Sequence, residues 1–150
     1  MTAGIKGVQK NFCAVPTHKF LYIAGTFPSG VLKLDISTNQ FSGIGKLEPE
    51  KLIRGNTPLL KTDFGYMTIA HDLVFDDRKM KRYRNFLVEY NADLSVRRIS
   101  RPFKFTDINI EFITTFLEDG NDILIGNTIM DETPLLFRFN RDEFLSEVHI

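Results

Sequence analysis

The residues best suited to chemistry bracket one stretch, RGNTPLLKTDFGYMTIAHD, which runs from Arg54 to Asp72. Arg54 and Asn56 stand at its start, and His71 and Asp72 at its end. A guanidinium can clamp a phosphate or carboxylate through two parallel hydrogen bonds, or tie neighbouring elements together by pairing with an acid. A histidine in this company can hydrogen-bond an anion or a ligand hydroxyl, or bond a loop carbonyl in a structural role. Asp72, Glu111 and Asp131 add carboxylates at expected strand ends. Glu111 stands out because it lies inside the apolar run Ile110-Glu111-Phe112-Ile113. Facing a closed pocket, such a carboxyl suits general-acid work; strand alternation would instead turn it to solvent or to an arginine.

These side chains meet only if the backbone returns on itself. Thr57 to Lys61 and Tyr66 to Ala70 read as antiparallel strands joined by the turn Thr62-Asp63-Phe64-Gly65. A hairpin brings its two ends to one edge of a sheet, so Arg54 and His71 are expected to face one pocket.

The unit recurs along the chain. Apolar first strands start at Phe12, Thr57 and Ile110, and second strands read FLYIAGT, YMTIAHD and ILIGNT. Each second strand turns small or polar at the same point, at Ala24-Gly25-Thr26, Ala70-His71-Asp72 and Gly126-Asn127-Thr128. Third strands begin at Val31, Phe86 and Leu135 and alternate apolar with polar residues, as a strand with one buried face does. Closing segments are Phe41 to Leu47, Val96 to Phe105 and Phe144 to Ile150. Arg141 to Val148 is the best helical window, and it also reads as a turn followed by a strand.

Four antiparallel strands repeating at about 50 residues predict β-propeller blades. The alternative is an all-β sandwich of similar rhythm. The expectation is a single partial-propeller domain over 1–150, with blades near 8–47, 53–105 and 108–150. Three blades fall short of the ~4–8 of a closed ring. Self-association or a partner domain would complete it, since an open stack exposes apolar faces.

Composition narrows the function classes. Lysines plus arginines and acidic residues balance at 19 each, so bulk charge suggests neither nucleic acid nor an anionic membrane, and neither is an expected partner. The local exception is Arg78-Lys79-Met80-Lys81-Arg82-Tyr83-Arg84, read most simply as a solvated loop. A single cysteine, Cys13 in an apolar neighbourhood, excludes an intrachain disulfide and a cysteine-rich metal site. It suggests a buried thiol and a reducing, cytoplasmic setting. No apolar run approaches the ~20 residues that cross a bilayer, and the first ten residues carry no signal-peptide pattern. His18, His71 and His149 are not at chelating spacings, so no metal is expected. A nucleotide-type glycine loop and a serine nucleophile elbow are absent too. Fourteen phenylalanines without a tryptophan fit pleated, half-buried surfaces.

The central stretch resembles the G-G-x-P-x-I-x-x-x-x-G-W/Y-L-x-I-x-H segment of five-bladed propeller glycosidases. The nearest in pattern are the β-mannoside phosphorylases and hydrolases, with their relatives beside glycosyltransferase domains. QKNFCAVP from Gln9 is similar to their E-K-N-W/F-x-P blade entry, and YIAGTFPSGVLKLDISTNQ to the hairpin that follows. IEFITTFLEDGNDILIGNTIMDET is similar to I/V-E-F-x-x-G, a D-G-D turn and a strand ending near an aspartate. The order is preserved from about Val8 to Phe139, which corresponds to the last three blades of the family.

The resemblance implies a sugar or sugar-phosphate ligand at the axial opening, with inorganic phosphate as the one co-substrate to consider and no other cofactor. It places His71 at the histidine that contacts phosphate, Asp131 near an aspartate that contacts sugar hydroxyls, and Lys10 and Asn11 at the K-N pair. Gln9 replaces the usual glutamate, and Asn56 the second glycine of G-G-x-P. The family's general acid and phosphate-clamping arginines lie in earlier blades. Catalysis normally takes two carboxylates, or one acid plus an external nucleophile, so this chain is expected to bind rather than to react, with Glu111 the weak catalytic candidate. A non-catalytic scaffold for protein partners or a glycosyltransferase is the alternative. Tyr83 and Arg84, expected to begin a strand, offer either a stacking surface for a sugar or core packing. Asn11, Asn56 and Asn127 read first as turn residues.

Overall fold

The computed structural model describes residues 13–16, 19–26, 30–44, 53–55 and 57–149. Expectations placed on Gln9, Lys10, Asn11, His18 and Asn56, and on the side chain of Cys13, lie outside the described residues. The chain is an all-β partial propeller of three antiparallel sheets. The first sheet runs in chain order through β1 (Cys13–Pro16), β2 (Phe20–Thr26), β3 (Gly30–Asp35) and β4 (Gln40–Ile44). Asp35 builds the β3–β4 turn by accepting from the backbone N–H of Ser37 and Thr38 at 2.9 and 3.2 Å.

The second sheet orders β5 (Arg54–Gly55), β7 (Gly65–Phe75), β8 (Lys81–Asn91) and β9 (Val96–Ile99), and β6 (Leu60–Thr62) also pairs with β7. The expected strand over Thr57 to Lys61 is therefore interrupted. Pro58 has no N–H to give to a ladder, and Thr57 fills the gap with its side chain. Its backbone N–H donates to Ile69 O at 3.2 Å, and its Oγ1 accepts from Ile69 N at 2.9 Å. Its carbonyl takes the Thr68 hydroxyl at 2.7 Å. Gly65 opens β7 with φ +150°, and a Cβ there would lie 2.2 Å from Tyr90 O, so only glycine fits this approach.

β7 runs on past the expected end at Ala70, and β8 begins at Lys81, so half of the basic run is strand rather than loop. The reason is cross-strand pairing of polar residues. Asp72 lies opposite Arg84 and accepts both Nε, at 3.0 Å, and Nη2.

The third sheet orders β10 (Glu111–Asp119), β11 (Asp122–Ile129) and β12 (Thr133–Asn140). Where a fourth strand was expected, α1 (Arg141–His149) forms instead. Asn140 Oδ1 caps it by accepting from the N–H groups of Asp142 and Glu143, at 3.1 and 3.2 Å, and both acids suit the helix N-terminus. Phe144 and Val148, one turn apart, bury the inner face. Asn127 is likewise not a turn residue: β11 continues through it to Ile129.

The second sheet is buried on both faces. Ala70, Phe86, Val88 and Tyr90 point to a core with Ile53, Leu59 and Leu94. Met67, Ile69 and Leu87 point the other way, against Ile113, Phe116, Ile123, Ile125 and Phe144 of the third sheet and helix. Much of the phenylalanine forms a stack on that side, with Phe105–Phe137, Phe105–Phe139 and Phe139–Phe144 centroids at 5.1, 5.3 and 5.7 Å. No helix among the described residues is long and apolar enough to cross a membrane.

Candidate functional site

The three-strand row through the middle of β7 brings two of the sequence candidates, Arg54 and His71, together. Arg54 pairs with His71 across β5–β7, and His71 with Asn85 across β7–β8. Directly opposed residues share a face, so Arg54, His71 and Asn85 all project toward the third sheet. Arg54 is exposed at the edge of that row, whereas His71 is 1% exposed. Two aromatic rings cover the imidazole: Tyr83, half-buried on β8, at 4.7 Å between centroids, and Phe112 of β10 at 5.5 Å. Burial, helped by the nearby Arg54 cation and opposed by Asp72, pushes the His71 pKa down to about 4. At neutral pH His71 is thus a neutral ring, with one donor and one acceptor nitrogen, and not a cation for a phosphate.

Asp131 reaches the same end by a different route. It sits exposed in the β11–β12 turn, at φ +61° beside Met130 at φ +53°. Met130 N donates to Ile110 O at 3.0 Å, and Tyr83 N donates to the adjacent Asn109 O at 3.0 Å. One short segment, Asn109-Ile110, therefore fixes the Asp131 turn to the strand that covers His71.

Glu111 faces neither an open pocket, nor solvent, nor an arginine. It is fully buried, and four groups donate to its carboxylate: Asn85 Nδ2 at 2.8 Å, Phe105 N at 3.1 Å, Thr106 N at 2.9 Å and Thr106 Oγ1 at 2.9 Å. Such a fully ligated carboxylate clasps the crossing between the second and third sheets, and its lone pairs are occupied.

Two buried polar residues complete this wedge, Asn85, which sequence reasoning missed, and Asn127, which it read as a turn residue. Asn85 is fully buried and its Oδ1 has no partner, and neither amide atom of Asn127, 1% exposed, has one. Asn127 lies opposite Ile113, and Glu111 opposite Ile129, so Asn127 and Glu111 are diagonal neighbours on one face. Nothing in local periodicity marks Asn85, which follows the basic run.

A cleft of about 300 Å³ lies away from this row, lined by Lys61, Thr62, Asp63, Glu118, Gly120 and Arg141. Arg141 Nε faces Glu118 Oε1 at 3.0 Å there, so its charges are partly spent on each other. Among the described residues no group of three or more His, Cys, Asp or Glu is placed to hold a metal ion.

The three antiparallel sheets make the chain an all-β partial propeller, with the Arg54–His71–Asn85 row crossing its second sheet. No protein-family model and no curated protein matches the sequence. Among solved structures, the chain is similar to a beta-1,2-mannobiose phosphorylase from Listeria innocua in complex with beta-1,2-mannobiose. The TM-score is 0.61 at 12% identity, over 93% of this chain and 46% of that one. The chain thus spans about half the length of that neighbour, and at this identity the likeness shows the fold.

Proposed function

We infer that this chain is a carbohydrate-binding propeller module, taking a glycan or sugar phosphate at the His71 end of the second sheet. The carrying observation is the convergence there of exposed Arg54, buried His71 under Tyr83, and the Asp131 turn tied to Tyr83 through Asn109-Ile110. Exposed Arg54 and Asp131 supply a cation and an acceptor for sugar hydroxyls or a phosphate. His71, neutral and enclosed, orients the aromatic cover instead of meeting an anion directly. The likeness to a mannobiose phosphorylase makes β-linked mannosides the first ligands to try and inorganic phosphate the co-ligand. Further blades, from a second copy or a partner domain, would complete the ring and its chemistry.

The complete ligation of Glu111 favours a second reading in part: this end acts as a binding or scaffold surface without a general acid of its own. The test is calorimetric titration of β-1,2-mannobiose, a panel of manno-oligosaccharides and sugar phosphates. Wild type, Arg54→Ala, Asp131→Ala and His71→Gln are compared. Saturable binding weakened at least several-fold by Arg54→Ala or Asp131→Ala is expected. Absence of binding, or binding indifferent to both, overturns the carbohydrate reading and leaves the scaffold.

A further inference from the structure

Four cations that the carbohydrate reading does not use, Arg78, Lys79, Lys81 and Arg82, lie at the far end of the β7–β8 ribbon. Beyond the His71–Asn85 row, β7 and β8 stay paired for four more residue pairs, Asp72–Arg84 to Phe75–Lys81. At ~3.4 Å per residue the ribbon extends about 14 Å past that row. Its tip is well built. Asp76 Oδ1 accepts from Arg78 N at 3.0 Å and Met80 N at 2.8 Å, while its Oδ2 takes Arg82 Nε at 3.0 Å. Asp76 N donates to Met80 O at 3.0 Å, and Lys79 turns the chain at φ +58°. A tip ordered by its own bonds gives up little conformational freedom on docking.

Two features of this tip belong together. Its cations outnumber its acids: Arg78, Lys79, Lys81 and Arg82 stand against Asp76 and Asp77, in a chain of zero net charge. Arg82 is paired with Asp76, which leaves the side chains of Arg78, Lys79 and Lys81 exposed and without a hydrogen-bond or ion-pair partner among the described residues. Beside them, Phe75 is 62% and Met80 54% exposed. Phe75 lies opposite Lys81 and Met80 pairs with Asp76, one step on, so the two apolar side chains leave opposite faces of the ribbon. A solvated loop needs no large apolar groups in such positions, least of all on both faces.

We propose that the β7–β8 tip seats on an anionic lipid surface. Phe75 and Met80 enter the headgroup boundary from either side of the ribbon, and Arg78, Lys79 and Lys81 lie among the anionic headgroups. A lipid surface fits better than nucleic acid. It accepts an aliphatic thioether and a ring on opposite faces equally, whereas a single-stranded nucleic acid needs a run of planar stacking groups along a basic groove. The tip offers one ring and no groove. Contact through the tip alone leaves the His71 end open beside the membrane.

The test is sedimentation of the full chain with vesicles of phosphatidylcholine alone or with 30 mol% phosphatidylserine, at low and high salt. Wild type is compared with Lys79→Glu/Lys81→Glu and Phe75→Ser/Met80→Ser; all four sites are exposed, and thermal melts check that folding is unchanged. Wild type is expected to bind the anionic vesicles only, with loss at high salt. The charge reversal weakens binding by at least about tenfold, and the apolar change weakens it with the salt dependence retained. No binding to anionic vesicles, equal binding to neutral ones, or binding unaffected by either double variant overturns the proposal. So does equal sensitivity of binding to a single-stranded RNA oligonucleotide, which would assign the tip to nucleic acid.

Discussion

Acidification is the sharpest probe of the central row, because His71 couples pH to folding with a known sign. In the folded chain its pKa lies near 4 against 6.5 for the free side chain, chiefly because burial disfavours the imidazolium. The unfolded chain therefore takes up a proton below about pH 6.5, while the folded chain refuses it until about pH 4. The contribution is fully present above pH 6.5, shrinks as pH falls through that window, and is flat below it. One bound proton of difference between the two states changes stability by ~1.36 kcal/mol for each pH unit, so the window spans about 3 kcal/mol, of which about 2 kcal/mol is gone by pH 5. For a chain of this size that loss lowers the melting temperature by ~4–8 °C. Carboxylates also begin to titrate near pH 5, so the comparison must be internal. Wild type and His71→Gln are melted at pH 7.5, 6, 5 and 4.5, and the difference between their pH slopes isolates the imidazole. The variant should lose less stability on acidification by that amount. Parallel slopes would refute the reasoning and place His71 in contact with water or with an anion that supports its charged form.

Two other substitutions test the frame around it. Glu111→Gln replaces an acceptor of four donors by an amide that can satisfy only part of them, and a loss of about 2–4 kcal/mol in urea unfolding is expected. A loss under about 1 kcal/mol would mean that the clasp is not held. Gly65→Ala drives a methyl group to within 2.2 Å of Tyr90 O at a backbone angle hostile to side chains, and should lower stability by at least about 2 kcal/mol or prevent soluble expression.

Much of the architecture was legible because turn chemistry and two-residue alternation are local. Thr62-Asp63-Phe64-Gly65 marks the return of the central hairpin, and that return is what aligns Arg54 with His71. Legibility failed where partners lie far along the chain. His71 and Asp72 looked like a strand end because they are polar, but Asp72 is matched by Arg84, twelve residues later and directly opposite. Arg141 onward looked as much strand as helix until the Asn140 cap and the Phe144–Val148 spacing are set against an apolar wall. Glu111 is the clearest case. Its apolar neighbours signal burial, but the four donors that make burial tolerable come from Asn85 and from the loop at Phe105 and Thr106, which alternation alone does not reveal.

The second sheet contributes to both cores at once, and this has a consequence for how the chain opens. The third sheet shares only one of these cores and can loosen at the cost of that single interface. The middle one cannot open without forfeiting two. Amide hydrogens of Met67 to Ala70 and of Leu87 and Val88 should therefore exchange only through whole-chain unfolding, while β4 and β12 exchange by local opening at much lower free energy. Mechanical or thermal stress would then peel the assembly from its ends inward, and the Arg54–His71 row would be among the last features to be lost.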